Sequence, residues 1–294
     1  MEQINHLPYN KEEYYKRIVY YYEESEITYR EGWDLKHSMA LHGGYWDEKA
    51  TTFRKALLRL NEVMAEMAGI QKDMYVLDAG CGVGGSSIFL ANEYRCKVLG
   101  ISLVDRQLFL ARENAKKKKV APHLIDFQNM DYTATGLPSN TFDVVWAIES
   151  VCHSYEKMDF IKEAYRILKP GGQLILIDYF MQRSPKDSKE ADDYQFFLDT
   201  FYCYNLADPP TFGRKLAEAG FKDIQELDKT PNYMPNLKRF VILGRISLAI
   251  TNFLGFFGIE RKNKIKVKTG RTTLICTDLF RKGLLKFYLF KATK

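Results

Sequence analysis

Short apolar runs alternate with stretches of helical periodicity between residues 74 and 181. The runs MYVLDAG, CKVLGISL, APHLIDFQNMD, FDVVWAIES and GGQLILIDYFM favour β-strands. Between them, apolar residues recur at helical spacing in SSIFLANEY, DRQLFLARENAKKKK and EKMDFIKEAYRIL. This alternation is typical of βαβ units, in which helices cover both faces of a parallel sheet. We therefore predict an α/β fold with a doubly wound sheet.

The region before this core has a helical pattern. Within residues 10–70, both YYKRIVYYYEES and FRKALLRLNEVMAEMAGI have apolar and aromatic residues at helical spacing. Gly69 is suited to end the second of these helices. The two helices flank WDLKHSMALHGGYWDEK, an aromatic segment interrupted by glycines.

The pattern weakens again after Pro185. The stretch KDSKEADDYQFFLDTFYCYN is helical, AGFKDIQELDK predicts a turn followed by a strand, and residues 236–285 are basic, apolar and partly helical. We interpret this region as a cap with closing strands on the same domain. The expected organisation is an N-terminal helical lid over residues 1–70, an α/β core over 71–182, and a substrate cap over 183–294.

Composition narrows the class of protein. The chain has 294 residues, of which 46% are hydrophobic, enough for one large core or one core with a smaller unit attached. The cysteines are odd in number and lack C-x-x-C spacing, so neither disulfides nor a zinc cluster is favoured and no metal site is predicted. They are Cys81, Cys96, Cys152, Cys203 and Cys276. We expect a reducing, cytoplasmic location.

Charge and hydropathy exclude some locations. The first residues, MEQINHLPYNKEEYYKR, carry charges where a secretory signal needs an apolar core, so no signal peptide is expected. The longest apolar stretches, such as residues 246–259, are too short to span a bilayer, although they could touch its surface. The net charge is +6, with local basic runs at residues 116–119 and 261–268. Solvated helix ends explain such runs most simply, and an anionic partner is the alternative.

The strongest motif is a glycine-rich loop, VLDAGCGVGGS, at residues 76–86. A buried strand ends near Asp78, and glycines follow at positions 80, 82 and 84 before a helix begins. Because Gly80, Gly82 and Gly84 have no Cβ, the backbone can turn sharply and approach a ligand closely. Dinucleotide sites use a related loop, but here the spacing is G-x-G-x-G and Asp78 is placed to hold an ammonium group or to order the loop.

This loop and the motifs that follow it resemble those of the class I S-adenosylmethionine-dependent methyltransferases over most of residues 74–181. MDY resembles the family's acidic motif after the third strand, and LPSNTFDVVWAIES and RILKPGGQLILID resemble its fourth-strand and fifth-strand motifs. The resemblance implies a Rossmann-like fold with S-adenosylmethionine as cofactor and S-adenosylhomocysteine as product. It also places Met130, Asp131 and Ile148 among the cofactor-binding residues.

The second strand departs from the usual pattern, in which an acid at the strand end holds the ribose. Here the strand reads GISLVDRQ, with Ser102 and Leu103 at that position, and Asp105 is suited only to the start of the next helix. The GISL-x-x-x-Q form resembles the subgroup of cyclopropane fatty acid synthases and of tocopherol, sterol and prenyl methyltransferases. In that subgroup a hydroxyl residue and a Gln, here Gln107, serve the ribose and adenine.

The segment AIESVCH ends the fourth strand with Glu149 and His153. Ligands of parallel sheets bind outside the carboxyl ends of the strands, so this pair should lie beside the methyl donor. A solvated or capping role is the alternative for each residue. The resemblance implies a catalytic role, in which a carboxylate stabilises a carbocation or removes a proton. Tyr179, at the end of the fifth strand, is a third catalytic candidate because ring faces stabilise cations.

The N-terminal segment also resembles this subgroup. An early tyrosine there covers the cofactor, and Tyr22 is the candidate, with Tyr20 and Tyr21 as alternatives within the same YYY run. H-G-G-Y-W-D at residues 42–47 resembles a second family segment. The residues expected to contact the acceptor are Trp33, His42, Tyr45 and Phe180.

These features predict C-methylation of an apolar isoprenoid acceptor, such as a terpenoid, prenyl diphosphate or sterol. The ending RKGLLKFYLFKATK resembles the tail of terpenoid and sterol methyltransferases. Lys238, Arg239 and Arg245 are candidates for binding a diphosphate. The alternatives are N- or O-methylation of an amine or phenol, and a non-catalytic cofactor-binding protein. Nucleic acid is not an expected partner, whereas membrane contact and a homo-oligomer are both compatible with the sequence.

Overall fold

A seven-stranded sheet organises the computed structural model, which describes residues 9–32, 35–256 and 264–294. The strand order is β3-β2-β1-β4-β5-β7-β6; β1 to β5 are parallel, and β7 runs antiparallel between β5 and β6. The predicted doubly wound α/β fold is confirmed. The strands are β1 Tyr75–Ala79, β2 Lys97–Ser102, β3 Ile125–Asn129, β4 Phe142–Ile148, β5 Leu168–Met181, β6 Lys222–Asp228 and β7 Leu285–Thr293.

Helices precede, separate and follow these strands. The first group is α1 Lys11–Gly32, α2 Leu35–Ser38 and α3 Phe53–Ala68. The core group is α4 Gly85–Phe89, α5 Asp105–Lys117 and α6 Lys157–Ile167. The last group is α7 Ser188–Phe201, α8 Pro209–Glu218, α9 Thr230–Phe256 and α10 Lys264–Arg281. No helix within the described ranges is long and apolar enough to cross a membrane.

Local sequence signals fix the ends of α3. The Thr52 side chain accepts a hydrogen bond from the backbone N–H of Lys55 and so caps the first turn. Gly69 adopts a left-handed conformation, with φ 64°, and its N–H reaches the carbonyls of the last turn. Glycine takes this conformation without strain, so the predicted helix end at Gly69 is confirmed.

Strand alternation divides the core into two clusters on opposite faces of the sheet. Along β5, Tyr179 packs with the cluster that contains Trp146, whereas Phe180 packs with the cluster that contains Phe212 and Phe290. Successive side chains of a strand point to opposite faces, so neighbouring residues cannot share one site. This alternation decides which of the two aromatic residues reaches the candidate active site.

The C-terminal third completes the sheet and covers one side of the site. Strands β6 and β7 extend the sheet beyond β5, while α10 packs against α7 and α9. A Cβ on Gly244 of α9 would lie 2.4 Å from Thr273 Oγ1 of α10, so the two helices approach closely. The closing strands therefore belong to the sheet of the core, while the domain boundaries at residues 70 and 182 stay predictions.

Candidate active site

The glycine-rich loop joins β1 to α4 at the point where the sheet order reverses. Gly80 and Gly82 have positive φ angles of 94° and 51°. A Cβ on Gly80 would lie 2.4 Å from the Cβ of Ser150, at the end of β4. Only glycine leaves the loop this close to β4, and the reversal in strand order is where parallel sheets bind ligands.

A cavity of about 900 Å³ opens above this loop, and we call it the cofactor chamber. Every residue predicted to bind the cofactor lies on its lining except Gly84. These residues are Tyr22, Asp78, Gly80, Gly82, Ser102, Leu103, Gln107, Met130, Asp131 and Ile148. Their contacts with a cofactor stay predictions, but one cavity brings them together from α1, from the first turn of α5 and from the ends of four strands.

Gly84 has a packing role. A Cβ at this position would lie 2.9 Å from Phe127 Cζ of β3 and 3.0 Å from Ala111 Cβ of α5. The residue also has a positive φ of 85° at the start of α4. Gly84 therefore allows α4 and α5 to pack closely behind the loop, whereas Gly80 and Gly82 line the chamber.

Hydrogen bonds hold the polar residues of the cofactor chamber. Asp78 accepts a bond from Ser87 Oγ at 2.5 Å, and burial raises the pKa of its carboxyl to about 6. At the end of β2, Ser102 Oγ donates to Gln107 Oε1 at 3.1 Å. These contacts fix the orientation of the side chains before a ligand binds.

A second cavity of about 670 Å³ adjoins the first, and we call it the acceptor chamber. Tyr22, Leu41, Glu149 and His153 line both chambers, so these residues form the shared wall. No lysine or arginine is part of its lining within the described ranges. The remaining lining residues are Tyr21, Tyr29, Cys152, Tyr179, Phe197, Phe201, Cys203, Tyr233, Phe240, Thr273 and Cys276.

Glu149 is the only acidic residue among the described residues of the shared wall. One carboxylate oxygen accepts the N–H of Gly43 at 2.7 Å, and the other accepts the hydroxyl of Tyr179 at 2.6 Å. The Tyr179 hydroxyl also lies 2.7 Å from that of Tyr233. Burial raises the pKa of Glu149 to about 8 despite these bonds. The carboxyl can therefore gain or lose a proton near neutral pH.

The Glu149 backbone has a positive φ of 45°, which is unusual for a residue with a Cβ. The strain is held by the surrounding structure, since the Glu149 N–H bonds to the Ile177 carbonyl at 2.9 Å. Non-glycine residues in this region cluster at functional sites. The conformation turns the carboxyl away from the line of β4 and toward Gly43 and Tyr179.

His153 is held as a neutral imidazole. Its Nδ1 lies 3.0 Å from the Tyr202 carbonyl, which can only accept, so Nδ1 carries the proton. Its Nε2 is then an acceptor, at 2.9 Å, for the hydroxyl of Tyr22. Burial lowers the pKa of His153 to about 4. The ring therefore connects α1 to the end of α7, and it is oriented as a link between them rather than as a free base.

A buried polar cluster supports the turn that carries His153. Lys157 Nζ donates to the carbonyls of Cys152 at 3.2 Å and Ser154 at 2.9 Å. Asp178 accepts the N–H of Cys152 at 2.8 Å and that of Tyr179, also at 2.8 Å. Asp178 therefore connects the ends of β4 and β5, the two strands whose ends carry the catalytic candidates.

Asn236 of α9 fixes the glycine segment that reaches Glu149. Its Oδ1 accepts from Gly44 N at 3.1 Å and from Trp46 Nε1 at 2.8 Å, and its Nδ2 donates to the Gly44 carbonyl at 2.7 Å. A Cβ on Gly43 would lie 2.4 Å from the ring of Tyr233. The side-chain amide therefore positions the Gly43 N–H that binds Glu149.

We expect Asn236→Ala to destabilise the protein by about 2–4 kcal/mol. The substitution leaves the Gly44 N–H, the Gly44 carbonyl and the Trp46 indole N–H without the hydrogen bonds that they make with Asn236. Urea unfolding followed by circular dichroism measures this loss. The matched control is Asn232→Ala, because Asn232 donates one bond, to the Trp46 carbonyl, and its loss should cost less. Equal stability of the two variants would contradict this role for Asn236.

Tyr179→Phe is expected to reduce turnover at pH 7 by roughly tenfold, the scale of one lost hydrogen bond to a charged group. The Tyr179 hydroxyl lowers the pKa of Glu149, so its removal raises that pKa further and leaves less carboxylate at neutral pH. The pH dependence of turnover should move to higher pH. Tyr194→Phe is the control, since Tyr194 is buried in α7 but is not a lining residue of the acceptor chamber.

Several residues expected to contact the acceptor lie elsewhere. Phe180 packs against Phe212 and Phe290 on the opposite sheet face, so that prediction was wrong about its direction. The Tyr45 ring lies beside Lys229, and His42 lines the cofactor chamber with a pKa lowered by burial to about 4. Trp33 lies outside the described residues.

The predicted diphosphate ligands also lie away from the acceptor chamber. Lys238 and Arg245 are exposed on α9, and the Arg239 guanidinium lies 4.5 Å from the ring centre of Phe53. Sequence reasoning missed Tyr233 and Leu41, which line the acceptor chamber from α9 and from the segment before Gly43. The apolar residues Tyr233, Leu237 and Phe240 recur at helical spacing along α9 and are buried. This spacing was the sequence signal for an inward-facing side of the helix.

Known proteins resemble this chain in sequence and in fold. A family model described as a methyltransferase domain matches residues 77–176. Phosphoethanolamine N-methyltransferase 3 of Arabidopsis thaliana is 31% identical over 182 residues, covering 62% of this chain and 36% of that protein. The chain thus spans little more than a third of this relative. The chloroplastic tocopherol O-methyltransferase of the same plant is 26% identical over 296 residues, covering 95% and 82%.

A similar fold occurs in the crystal structure of geranyl diphosphate C-methyltransferase from Streptomyces coelicolor A3(2), in complex with Mg²⁺, geranyl diphosphate and S-adenosyl-L-homocysteine. The TM-score is 0.70 at 17% identity, with 98% of this chain and 99% of that chain covered. This likeness concerns the fold.

The lining of the cofactor chamber suits S-adenosylmethionine. The Cβ-free positions Gly80 and Gly82 leave room for close approach, Asp78 offers a carboxyl to an ammonium group, and Ser102 with Gln107 offers polar atoms to a nucleoside. Fold, loop and family match agree with one another. Residues 77–176 therefore form a methyltransferase domain, and the chain has the fold of the class I S-adenosylmethionine-dependent methyltransferases.

Proposed function

We propose that this chain is a methyltransferase that adds a methyl group to a carbon atom of an uncharged, apolar acceptor of isoprenoid type, such as a terpenoid or sterol alkene. One observation carries the proposal. A buried carboxyl, Glu149, lies on the wall between the cofactor chamber and an aromatic chamber whose described lining has no lysine or arginine. Such a chamber suits an apolar molecule that becomes positively charged.

The acceptor chamber can stabilise that positive charge. S-adenosylmethionine, when bound, would supply an electrophilic methyl group. The π electrons of an alkene would form the new carbon–carbon bond while the sulfur–methyl bond breaks and leaves its electron pair on the sulfur of S-adenosylhomocysteine. The second alkene carbon is then cationic, and the chamber has an aromatic lining, including Tyr179, Tyr233 and Phe197, that is suited to such a charge. The enclosed aromatic surface also keeps out water that would quench the cation.

Glu149 completes the reaction in this proposal. Its carboxylate first balances the cation electrostatically and then removes a proton from the adjacent carbon, so the C–H electron pair restores a double bond. Tyr179 donates to the carboxylate and fixes its position. His153 and Tyr22 act by positioning, because their hydrogen bond closes the wall between α1 and the end of β4.

The chamber does not favour a phosphorylated acceptor. Phosphate groups are commonly bound by arginine or lysine, and the described lining of the acceptor chamber has neither. Lys238 and Arg245, on the outer surface of α9, do not supply one. An uncharged acceptor therefore suits this chamber better than the phosphoethanolamine named for one relative or the geranyl diphosphate bound in the similar structure.

A second candidate is O-methylation of an apolar phenol. The similarity to a tocopherol O-methyltransferase favours it, because the match extends over 82% of that protein. Glu149, with a pKa of about 8, could accept the proton of a phenol hydroxyl. The two candidates share the site and differ in the atom that receives the methyl group.

Product analysis with methyl-labelled S-adenosylmethionine distinguishes the candidates. The acceptor panel contains neutral prenyl alcohols, sterols, prenyl diphosphates, prenylated phenols and phosphoethanolamine. A label on carbon of a neutral isoprenoid supports the proposal, whereas a label on phenol oxygen supports the second candidate. Methylation of phosphoethanolamine or of prenyl diphosphates alone would overturn both. Glu149→Gln is assayed in parallel, since it should bind cofactor but form little product.

A further inference from the structure

The outward face of α9 combines apolar and basic side chains. Ile242 is 58% exposed and Ile246 is 50% exposed, and both are among the most exposed large hydrophobic residues described. Lys238 and Arg245 are exposed beside them. Residues 238, 242, 245 and 246 are separated by helical spacing, so they form one stripe along the helix. We call these four residues the α9 stripe.

The opposite face of the same helix is buried. Tyr233, Asn236, Leu237 and Phe240 are all buried, and Tyr233 and Phe240 line the acceptor chamber. The α9 stripe therefore lies one helix thickness from the chamber. Large exposed hydrophobic side chains on the outer face of such a helix mark an interaction surface when they cluster.

The charge of α9 identifies the kind of partner. The helix carries three basic residues, Lys238, Arg239 and Arg245, and no acidic residue in its sequence. An apolar stripe flanked by basic side chains suits a bilayer with anionic headgroups, because the isoleucines can enter the acyl boundary while the cations contact phosphate. A protein partner with a matching apolar surface would not by itself require this one-sided charge.

We propose that the α9 stripe docks the protein on an anionic lipid surface. Lys238 and Arg245 contact headgroups while Ile242 and Ile246 insert between them. Docking at this face places the wall of the acceptor chamber next to the bilayer, where isoprenoids and sterols partition. The role in substrate supply rests on the proposed function, whereas the docking itself does not.

Co-sedimentation with vesicles tests the docking without any turnover. The full chain is mixed with vesicles of phosphatidylcholine alone or with phosphatidylglycerol. We expect binding to the anionic vesicles, weaker binding at high salt, and a loss of at least about tenfold for Ile242→Asp with Ile246→Asp. Lys238→Glu with Arg245→Glu should lose binding to anionic vesicles selectively.

The matched control places the same charges on exposed hydrophobic residues elsewhere. Leu58→Asp with Phe109→Asp changes residues that are 40% and 53% exposed on α3 and α5, and it should keep vesicle binding. Calorimetric binding of S-adenosylhomocysteine verifies that each variant is folded. Absence of binding to anionic vesicles, or equal binding by the stripe variants, would overturn the proposal.

Light scattering measures the oligomeric state and so tests whether a second copy of the chain binds this face. A dimer that is lost in the Ile242 and Ile246 variant would overturn membrane docking in favour of self-association. If docking holds but no isoprenoid is methylated, the proposed function fails while the docking surface stands.

Discussion

Glu149→Gln should reduce turnover at least about a hundredfold, the usual scale for a lost acid or base, while cofactor affinity stays within a few-fold. The amide keeps the size of the side chain and can still contact Gly43 and Tyr179, but it cannot balance a cation or take a proton. Single-turnover assays and calorimetry with S-adenosylhomocysteine separate the two quantities. Normal turnover of the variant would exclude a catalytic role for Glu149.

The pH profile gives an independent readout of the same residue. Burial raises the pKa of Glu149 to about 8, so in the free protein the carboxylate forms as the pH rises through this value. If the carboxylate is the active form, kcat/KM of the wild-type protein should rise with pH up to about 8 and then level off. Glu149→Gln should lose this dependence.

A second buried glutamate is the control for Glu149→Gln. Glu163 is bound by Arg166 and Thr135, away from both chambers, so Glu163→Gln should affect stability and leave the pH profile unchanged.

Gly80→Ala should weaken cofactor binding by roughly 10- to 100-fold. The new Cβ would lie 2.4 Å from the Cβ of Ser150, and the φ of 94° is strained for any residue with a side chain. Overpacking of this kind costs about 1–3 kcal/mol, and each 1.4 kcal/mol changes affinity about tenfold. Because β4 or the loop must move, turnover should fall as well. Calorimetric titration with S-adenosylhomocysteine gives the affinity.

Gly136→Ala separates the clash from the backbone strain. Gly136 also has a positive φ, 69°, but no atom lies within 4 Å of the Cβ that alanine would add. This variant should lose some stability and keep its cofactor affinity. If both alanine variants bind the cofactor like the wild-type protein, the glycine loop is misassigned.

The sequence predicted the parts of the site that depend on local structure. The glycine loop and Glu149 each follow directly from a strand whose apolar run is evident, and parallel strands bring their carboxyl ends to one edge. The position of Phe180 at the strand end does not specify the sheet face that it occupies, because successive side chains of β5 point to opposite faces. The side chain of its neighbour Tyr179 points to the face of the sheet that carries the acceptor chamber.

The long-range contacts could not be predicted. Tyr233 lies 84 residues after Glu149 along the chain, and its place in the acceptor chamber depends on how α9 packs over β5. The bond of Asn236 to Gly44 spans 192 residues, and nothing local to either residue specifies it. The tautomer of His153 depends likewise on the Tyr202 carbonyl and on Tyr22. Tertiary packing, rather than local secondary-structure propensity, determines the positions and hydrogen bonds of these groups.

The place of Glu149 on the shared wall makes ligand binding a proton-linked equilibrium. With a pKa of about 8, the carboxyl of the free protein is mostly protonated at neutral pH. A cation in the adjoining chamber favours the carboxylate, so a cationic ligand binds with release of a proton and gains affinity as the pH rises. The sulfonium cofactor is such a cation at its sulfur, and its thioether product is not. We therefore expect mildly alkaline conditions to favour S-adenosylmethionine over S-adenosylhomocysteine in their competition for the site.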